Sequence, residues 1–126
     1  MKKVYICFDY DNDLFLKEAL VAQSKLDDSP FSISDVSIKQ EIESNWQVYA
    51  RQRIKNSDIV VVMCGHNTHS ARGVAIELEI ARQEGKPYFM LCGYSDGRFQ
   101  RPSNAQGESV YEWTWPNLKI LIGRAA

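Results

Sequence analysis

The sequence predicts a single doubly wound α/β domain, with a parallel five-stranded sheet in the order 2-1-3-4-5 and helices on both faces. Three observations carry this prediction. Short apolar runs rich in β-forming residues alternate with stretches whose apolar residues recur every three or four positions. Two of the runs, Val4–Phe8 and Ile59–Met63, are apolar almost without interruption, as strands covered on both sides must be. At 126 residues, with no internal repeat or low-complexity tract, the chain makes one domain with a sizeable core.

The elements follow in order. Lys3 to Phe8 reads as the first strand, running into the acidic loop Asp9-Tyr10-Asp11-Asn12-Asp13. Asp11 or Asn12 is expected to cap a helix over about residues 13–26, with Leu16, Ala19, Leu20 and Gln23 at helical spacing. Asp27-Asp28-Ser29-Pro30 breaks it. Phe31, Ile33 and Val36 form a second, less hydrophobic strand suited to a sheet edge. Ser37-Ile38-Lys39-Gln40 resembles a capping box. The stripe Ile38, Ile42, Trp46, Tyr49, Ala50, Ile54 then predicts an amphipathic helix to Asn56.

Asp58 to Cys64 is the strongest strand signal in the chain. Gly65 to His69 reads as a loop, and Ser70 as the N-cap of a third helix ending at Gly85. Tyr88 to Cys92 is the fourth strand. The polar, Gly-containing stretch from Gly93 to Ser109 is the expected mobile segment. Val110 to Trp115 reads as a fifth strand or extended chain, and Pro116 opens a last helix closed by Gly123. Five strands in this alternation suit a flavodoxin-like sheet, in which ligands bind outside the carboxyl ends of the strands.

Composition narrows the function classes. A hydrophobic share of 44% and a charged share of 25% are ordinary for a globular protein. A net charge of -1, with dispersed basic residues, gives no support for a nucleic-acid or membrane-surface partner. Arg51, Arg53 and Lys55, the densest basic group, read as a solvated helix face. No apolar run reaches the roughly 18 residues needed to span a bilayer, and Met1-Lys2-Lys3 leads straight into a strand without a signal-peptide core. The expected compartment is the cytoplasm, and three cysteines, an odd number, agree with reduced thiols.

Among chemistry-bearing residues, the third helix separates two neighbouring carboxylates. At about 100° per residue, Val74, Leu78 and Ala81 share the core stripe, while Ile76 and Ile80 form a second apolar patch. Glu77 projects beside the core stripe and Glu79 falls on the polar side near Arg82, where an exposed ion pair is its plain explanation. Partial burial of Glu77 would raise its pKa and suit it to catalysis. The competing explanation is a carboxylate at the core edge held by an ion pair.

Other groups point less sharply. The acids of Asp9 to Asp13 suit a helix N-terminus. As a magnesium site of the phospho-receiver kind they would want an aspartate after the third strand, where Cys64-Gly65 stand. Cys64, His66 and His69 lack the paired spacing of a zinc site, so no metal is expected. Cys7, Cys64 and Cys92 fall near strand ends and read as buried, inert thiols. Walker and dinucleotide-fingerprint glycines are absent.

Strand one, Val4-Tyr5-Ile6-Cys7-Phe8-Asp9-Tyr10, resembles the first box of TIR and TIR-like domains. Asn56-Ser57-Asp58 into Ile59–Val62, then Gly65-His66-Asn67-Thr68 and Ala71 to Leu78, is similar to the centre of the Thoeris anti-phage TIR-like branch typified by ThsB. The similarity covers most of residues 3–92, so the whole chain, 1–126, is expected to be one TIR-like domain. The resemblance implies that Glu77 is the catalytic glutamate of an NAD+ glycohydrolase or cyclase, with NAD+ as substrate and no cofactor. It implies pocket roles for Phe8, Asp9, Asp35 and Thr68. It also implies self-association and a separate effector protein that senses the ADP-ribose-derived product. The family motif's tryptophan is Gly73 here, leaving Trp46, Trp113 and Trp115 as candidate substitutes, although Trp46 also fits its own helix stripe. A non-enzymatic TIR-like interaction module and a nucleoside deoxyribosyltransferase-like enzyme are the alternatives.

Overall fold

A computed structural model describes residues 1–37 and 45–124. Five parallel strands, β1 (Lys2–Cys7), β2 (Phe31–Val36), β3 (Ile59–Cys64), β4 (Tyr88–Cys92) and β5 (Val110–Glu112), lie in the order β2-β1-β3-β4-β5. Four α-helices accompany them among the described residues: α1 (Leu14–Ser24), α2 (Trp46–Lys55), α3 (Arg72–Gln83) and α4 (Trp115–Arg124). The expected sheet order and edge position of β2 are both present.

Strand periodicity divides the core into two layers. Val4 and Ile6 of β1 join Ile59, Val61 and Met63 of β3 in a layer with Leu16 and Leu20 of α1 and Leu118 and Ile122 of α4. Tyr5 and Cys7 point the other way, with Val60, Val62 and Cys64, toward Ala50 and Ile54 of α2 and Val74 and Leu78 of α3. All six β3 side chains are buried, which explains the unbroken apolar run. Each large aliphatic side chain buried this way contributes about 1.5–3 kcal/mol.

Several boundaries differ from the sequence expectation, each for a local reason. The cap position of α1 is Asp13, not Asp11 or Asn12, and its carboxylate makes no capping bond. Asp9 organises the loop instead. Its carboxylate accepts from Asp11 N (3.2 Å) and Asn12 Nδ2 (2.7 Å), and its carbonyl accepts from Asp13 N (2.8 Å). Ser70 belongs to a 3-10 turn, Thr68–Ser70, and Ala71 takes the cap position of α3. Ser70 Oγ is directed back to Asn67 O (2.9 Å) and so cannot serve the helix.

At the other end of α3, Gly85 adopts φ +68°. Lys86 N bonds Ala81 O (2.9 Å) and Gly85 N bonds Arg82 O (3.1 Å), the paired bonds of a Schellman cap. Gly123 does not stop α4, which continues to Arg124. Tyr49 is 47% exposed rather than in the α2 stripe. Trp46, Ala50 and Ile54 define that stripe, and Tyr49 lies about 100° from its centre. The capping box at Ser37 to Gln40 and the stripe positions Ile38 and Ile42 lie, Ser37 apart, outside the described residues.

β5 covers Val110–Glu112 only. The long segment before it, expected to be mobile, is bonded at several points to its surroundings. Gln100 N donates to Gly65 O (2.9 Å), Asn104 Nδ2 to Ala75 O (2.8 Å) and Arg82 Nη2 to Asn104 O (3.0 Å). Arg82 and Tyr88 both bond Glu108 from α3 and β4. No described helix is long and apolar enough to cross a membrane.

Candidate active site

Glu77 reaches its position because α3 lies on the sheet face to which the odd-numbered β1 residues point. It is 1% exposed, more deeply buried than its edge-of-stripe position predicts. Its carboxylate accepts hydrogen bonds from the Tyr5 hydroxyl, from Ser37 Oγ (2.5 Å) and from Cys7 Sγ (3.4 Å). Tyr5 and Cys7 are two apart on β1, so both project toward α3. Ser37 follows β2 directly. Its backbone N–H bonds Ile6 O (2.8 Å), and its hydroxyl oxygen accepts from Phe8 N (3.0 Å). One carboxylate thus gathers the ends of β1 and β2 onto α3.

Burial pushes the Tyr5 phenol well above its usual range, and the neighbouring Glu77 charge adds to the effect. Burial and Glu77 raise the Cys7 thiol in the same way. Both groups therefore keep their protons and serve Glu77 as donors. Donors aimed at a carboxylate hold it in one orientation and accommodate its negative charge.

Beside this constellation opens a cavity of about 250 Å³, at the carboxyl end of β1. Phe8, Asp9, Ser37, Arg72, Gly73 and Glu77 are among the residues that line it. Phe8 stacks on Tyr10, with ring centroids 5.3 Å apart. Glu79, by contrast, lies toward solvent and pairs with Arg82 at 3.5 Å.

Of the residues singled out in the sequence, Phe8, Asp9 and Glu77 come together at this cavity. Asp35 and Thr68 do not line it. Asp35 is on β2, where its Oδ1 accepts from Val36 N (3.0 Å) and pairs with Arg53 Nη1 (3.2 Å). Thr68 is fully buried, and its Oγ1 accepts from Gly65 N (2.7 Å), closing the loop after β3. Trp46 is in the α2–α3 core layer, as its stripe implies. The other two tryptophans donate elsewhere, Trp113 to Gln23 (2.8 Å) and Trp115 to Asp28 (3.1 Å). None of the three lines the Glu77 cavity.

Sequence reasoning missed Tyr5, Ser37 and Arg72. Tyr5 carried a usable signal, as a hydroxyl-bearing side chain at a core-facing position of an otherwise apolar strand. Ser37 was absorbed by the capping-box pattern. The three cysteines are free thiols, and burial drives Cys64 up to about 12. Among the described residues there is no group of three or more His, Cys, Asp or Glu side chains placed to hold a metal.

The family model described as the TIR-like domain of the Thoeris protein ThsB matches residues 5–96. No curated protein matches the chain. Among solved structures, the TIR domain of the Toll-related receptor TRR-2 from Hydra magnipapillata superposes with a TM-score of 0.63 at 14% identity, covering 98% of this chain and 94% of that one. A prokaryotic SEFIR domain superposes with a TM-score of 0.57 at 15% identity and the same coverage. At such identities these two likenesses concern the fold.

Proposed function

The chain belongs to the family of TIR-like domains of the Thoeris protein ThsB, and from that premise we propose that it cleaves the bond between nicotinamide and ribose in NAD+. The observation that carries this reading is the Glu77 carboxylate, oriented by Tyr5, Cys7 and Ser37 at the wall of a cavity outside the carboxyl end of β1. Open α/β sheets bind ligands at that end.

The chemistry is within reach of one carboxylate. The C1′–N1 bond breaks with its electron pair going to the pyridinium nitrogen, so nicotinamide leaves neutral and needs no general acid. The ribose is left with oxocarbenium character, which Glu77 stabilises electrostatically while holding the ribose hydroxyls. Capture by water, with loss of a proton to solvent, gives ADP-ribose, and capture by a nitrogen of the adenine gives a cyclic isomer. Glycosidases with poor leaving groups need a second carboxyl group as acid, and this site does not. Phe8 and Asp9 line the substrate site in this reading, and Asp35 and Thr68 act from outside the cavity wall. No cofactor or metal takes part.

The product is an ADP-ribose-derived signal for a separate effector protein in anti-phage defence, made in the cytoplasm by self-associated copies of the chain. Incubation with NAD+ at both low and high protein concentration, following nicotinamide release and product identity, tests the reading. Glu77→Gln is expected to lower turnover by about 10²–10³-fold, the usual scale for losing a main electrostatic stabiliser. Undiminished turnover in that variant removes Glu77 from the mechanism.

A second reading, a non-enzymatic interaction module, is favoured by the same three hydrogen bonds, because they also make Glu77 a structural tie between β1, β2 and α3. Phe15 and Val48, 72% and 65% exposed, would then belong to contact surfaces. That module turns over no NAD+ at any concentration or in extracts of infected cells. A deoxyribosyltransferase-like enzyme would instead exchange ribosyl groups between free bases.

A further inference from the structure

A second cavity, of about 530 Å³, opens outside the carboxyl ends of β4 and β5 and shares no lining residue with the Glu77 cavity. Tyr94, Phe99 and Trp113 supply its aromatic walls, with Cys92 and Glu112 beside them. Its volume falls within the roughly 300–1,000 Å³ of small-molecule sites.

The three rings are held from outside the cavity. Tyr94 donates its hydroxyl to Asp13 Oδ1 (2.8 Å) and stacks on His66 at 4.3 Å and 22°. His66 is in turn fixed to Asp96 Oδ2 at 3.0 Å. The Trp113 N–H is spent on Gln23, and the Arg101 guanidinium lies 5.3 Å from the centre of the Phe99 ring. The base of the segment is tied down by Gln100 N on Gly65 O. With their polar tips engaged, the rings offer the cavity π surface and little else.

The charged side chain on the lining is Glu112. It follows Val110 at strand spacing, so both lie on one sheet face, and its register partner across β4 is Cys92. An ionised carboxylate only accepts hydrogen bonds. A ligand for this cavity is therefore flat and aromatic, and it carries an N–H donor at its edge.

We infer that the aromatic cavity at the ends of β4 and β5 is a binding site for a purine base bearing an exocyclic amine, with the base against Tyr94, Phe99 and Trp113 and the amine donated to Glu112. The site is independent of Glu77 chemistry. Equilibrium dialysis of the full chain against adenosine and purine riboside tests it. Adenosine is expected to bind saturably below about 1 mM. Purine riboside, which has hydrogen in place of the 6-amino group and no ring N–H to donate, binds at least about tenfold more weakly. Phe99→Ala weakens adenosine at least about tenfold, and Glu112→Ala, on an exposed side chain, abolishes the preference over purine riboside. Glu77→Gln binds as the wild type does. The inference fails if adenosine does not saturate, or if either Phe99→Ala or Glu112→Ala leaves its binding unchanged. It also fails if Glu77→Gln alone abolishes binding, which would place the base in the first cavity.

Discussion

Gly65→Ala offers the sharpest test of the packing at the carboxyl end of β3. A Cβ at this position would lie 2.2 Å from Asp13 Oδ2, 2.5 Å from Oδ1 and 2.6 Å from Cγ. Real carbon atoms do not approach a carboxylate so closely, and all three atoms belong to one rigid group, so the whole group must move. Asp13 has little freedom to do so, being 1% exposed and held by the Tyr94 hydroxyl. Overpacking of this kind costs about 1–3 kcal/mol. For a chain of 126 residues each kcal/mol corresponds to roughly 4 °C in Tm, so a fall of about 4–12 °C is expected.

The backbone itself imposes no such penalty, since Gly65 is not among the glycines with positive φ. In an Asp13→Ala background the added methyl group has room, and Gly→Ala at a compatible position is neutral or stabilising by about 0.4–1 kcal/mol. Thermal unfolding of the wild type, both single variants and the double variant gives the coupling energy. A value above about 1 kcal/mol is expected, and additivity within about 0.5 kcal/mol would refute the clash.

Thr68→Val leaves the buried Gly65 N–H without its acceptor and is expected to cost about 1–3 kcal/mol in unfolding experiments, with the KM for NAD+ unchanged. A raised KM with intact stability would give Thr68 a direct role in binding. Tyr5→Phe removes one donor from Glu77 and is expected to lower kcat about tenfold, the equivalent of one modest hydrogen bond in the transition state, with little change in KM. Burial raises the pKa of Asp13, and its Oδ2 has no hydrogen-bond partner among the described residues. A carboxyl group raised on folding favours the folded state below its unfolded pKa, near about 4, and loses that contribution as pH rises through its folded value. Asp13→Asn should therefore gain stability relative to wild type as pH rises above about 4 in paired melting curves; a constant difference would contradict the shift. Arg82→Met should speed amide exchange over residues 100–108, because it releases Glu108 and the Asn104 carbonyl.

The sheet was legible because its signals are local. Ile59 to Met63 can only be a doubly covered strand, and Val74, Leu78 and Ala81 mark the inner face of α3 without knowledge of any partner. Glu77 was separable from Glu79 by the same helical geometry. Its surroundings were not, since Tyr5 and Ser37 lie 72 and 40 residues away in the chain and only the crossing of the strands brings them to it. Ser37 fits a capping pattern and a carboxylate contact equally well in sequence. Asp13 shows the same difficulty in reverse, as an acid at a helix start whose side chain turns away from the helix toward Tyr94. Local pattern identifies which face a residue takes, while the identity of a polar partner depends on topology.

The long span of those hydrogen bonds has a consequence for how the Glu77 site is assembled. During synthesis β1 emerges first, and its Tyr5 and Cys7 have no carboxylate to meet until α3 has followed some seventy residues later. Parallel strands also require their crossovers to close before pairing rewards them, which makes such topologies slow relative to helical bundles. The Glu77 constellation is thus a product of complete folding, formed only when β1, the end of β2 and α3 have docked. In refolding experiments, the change in the environment of Tyr5 should follow the slowest cooperative phase and not the early appearance of helix.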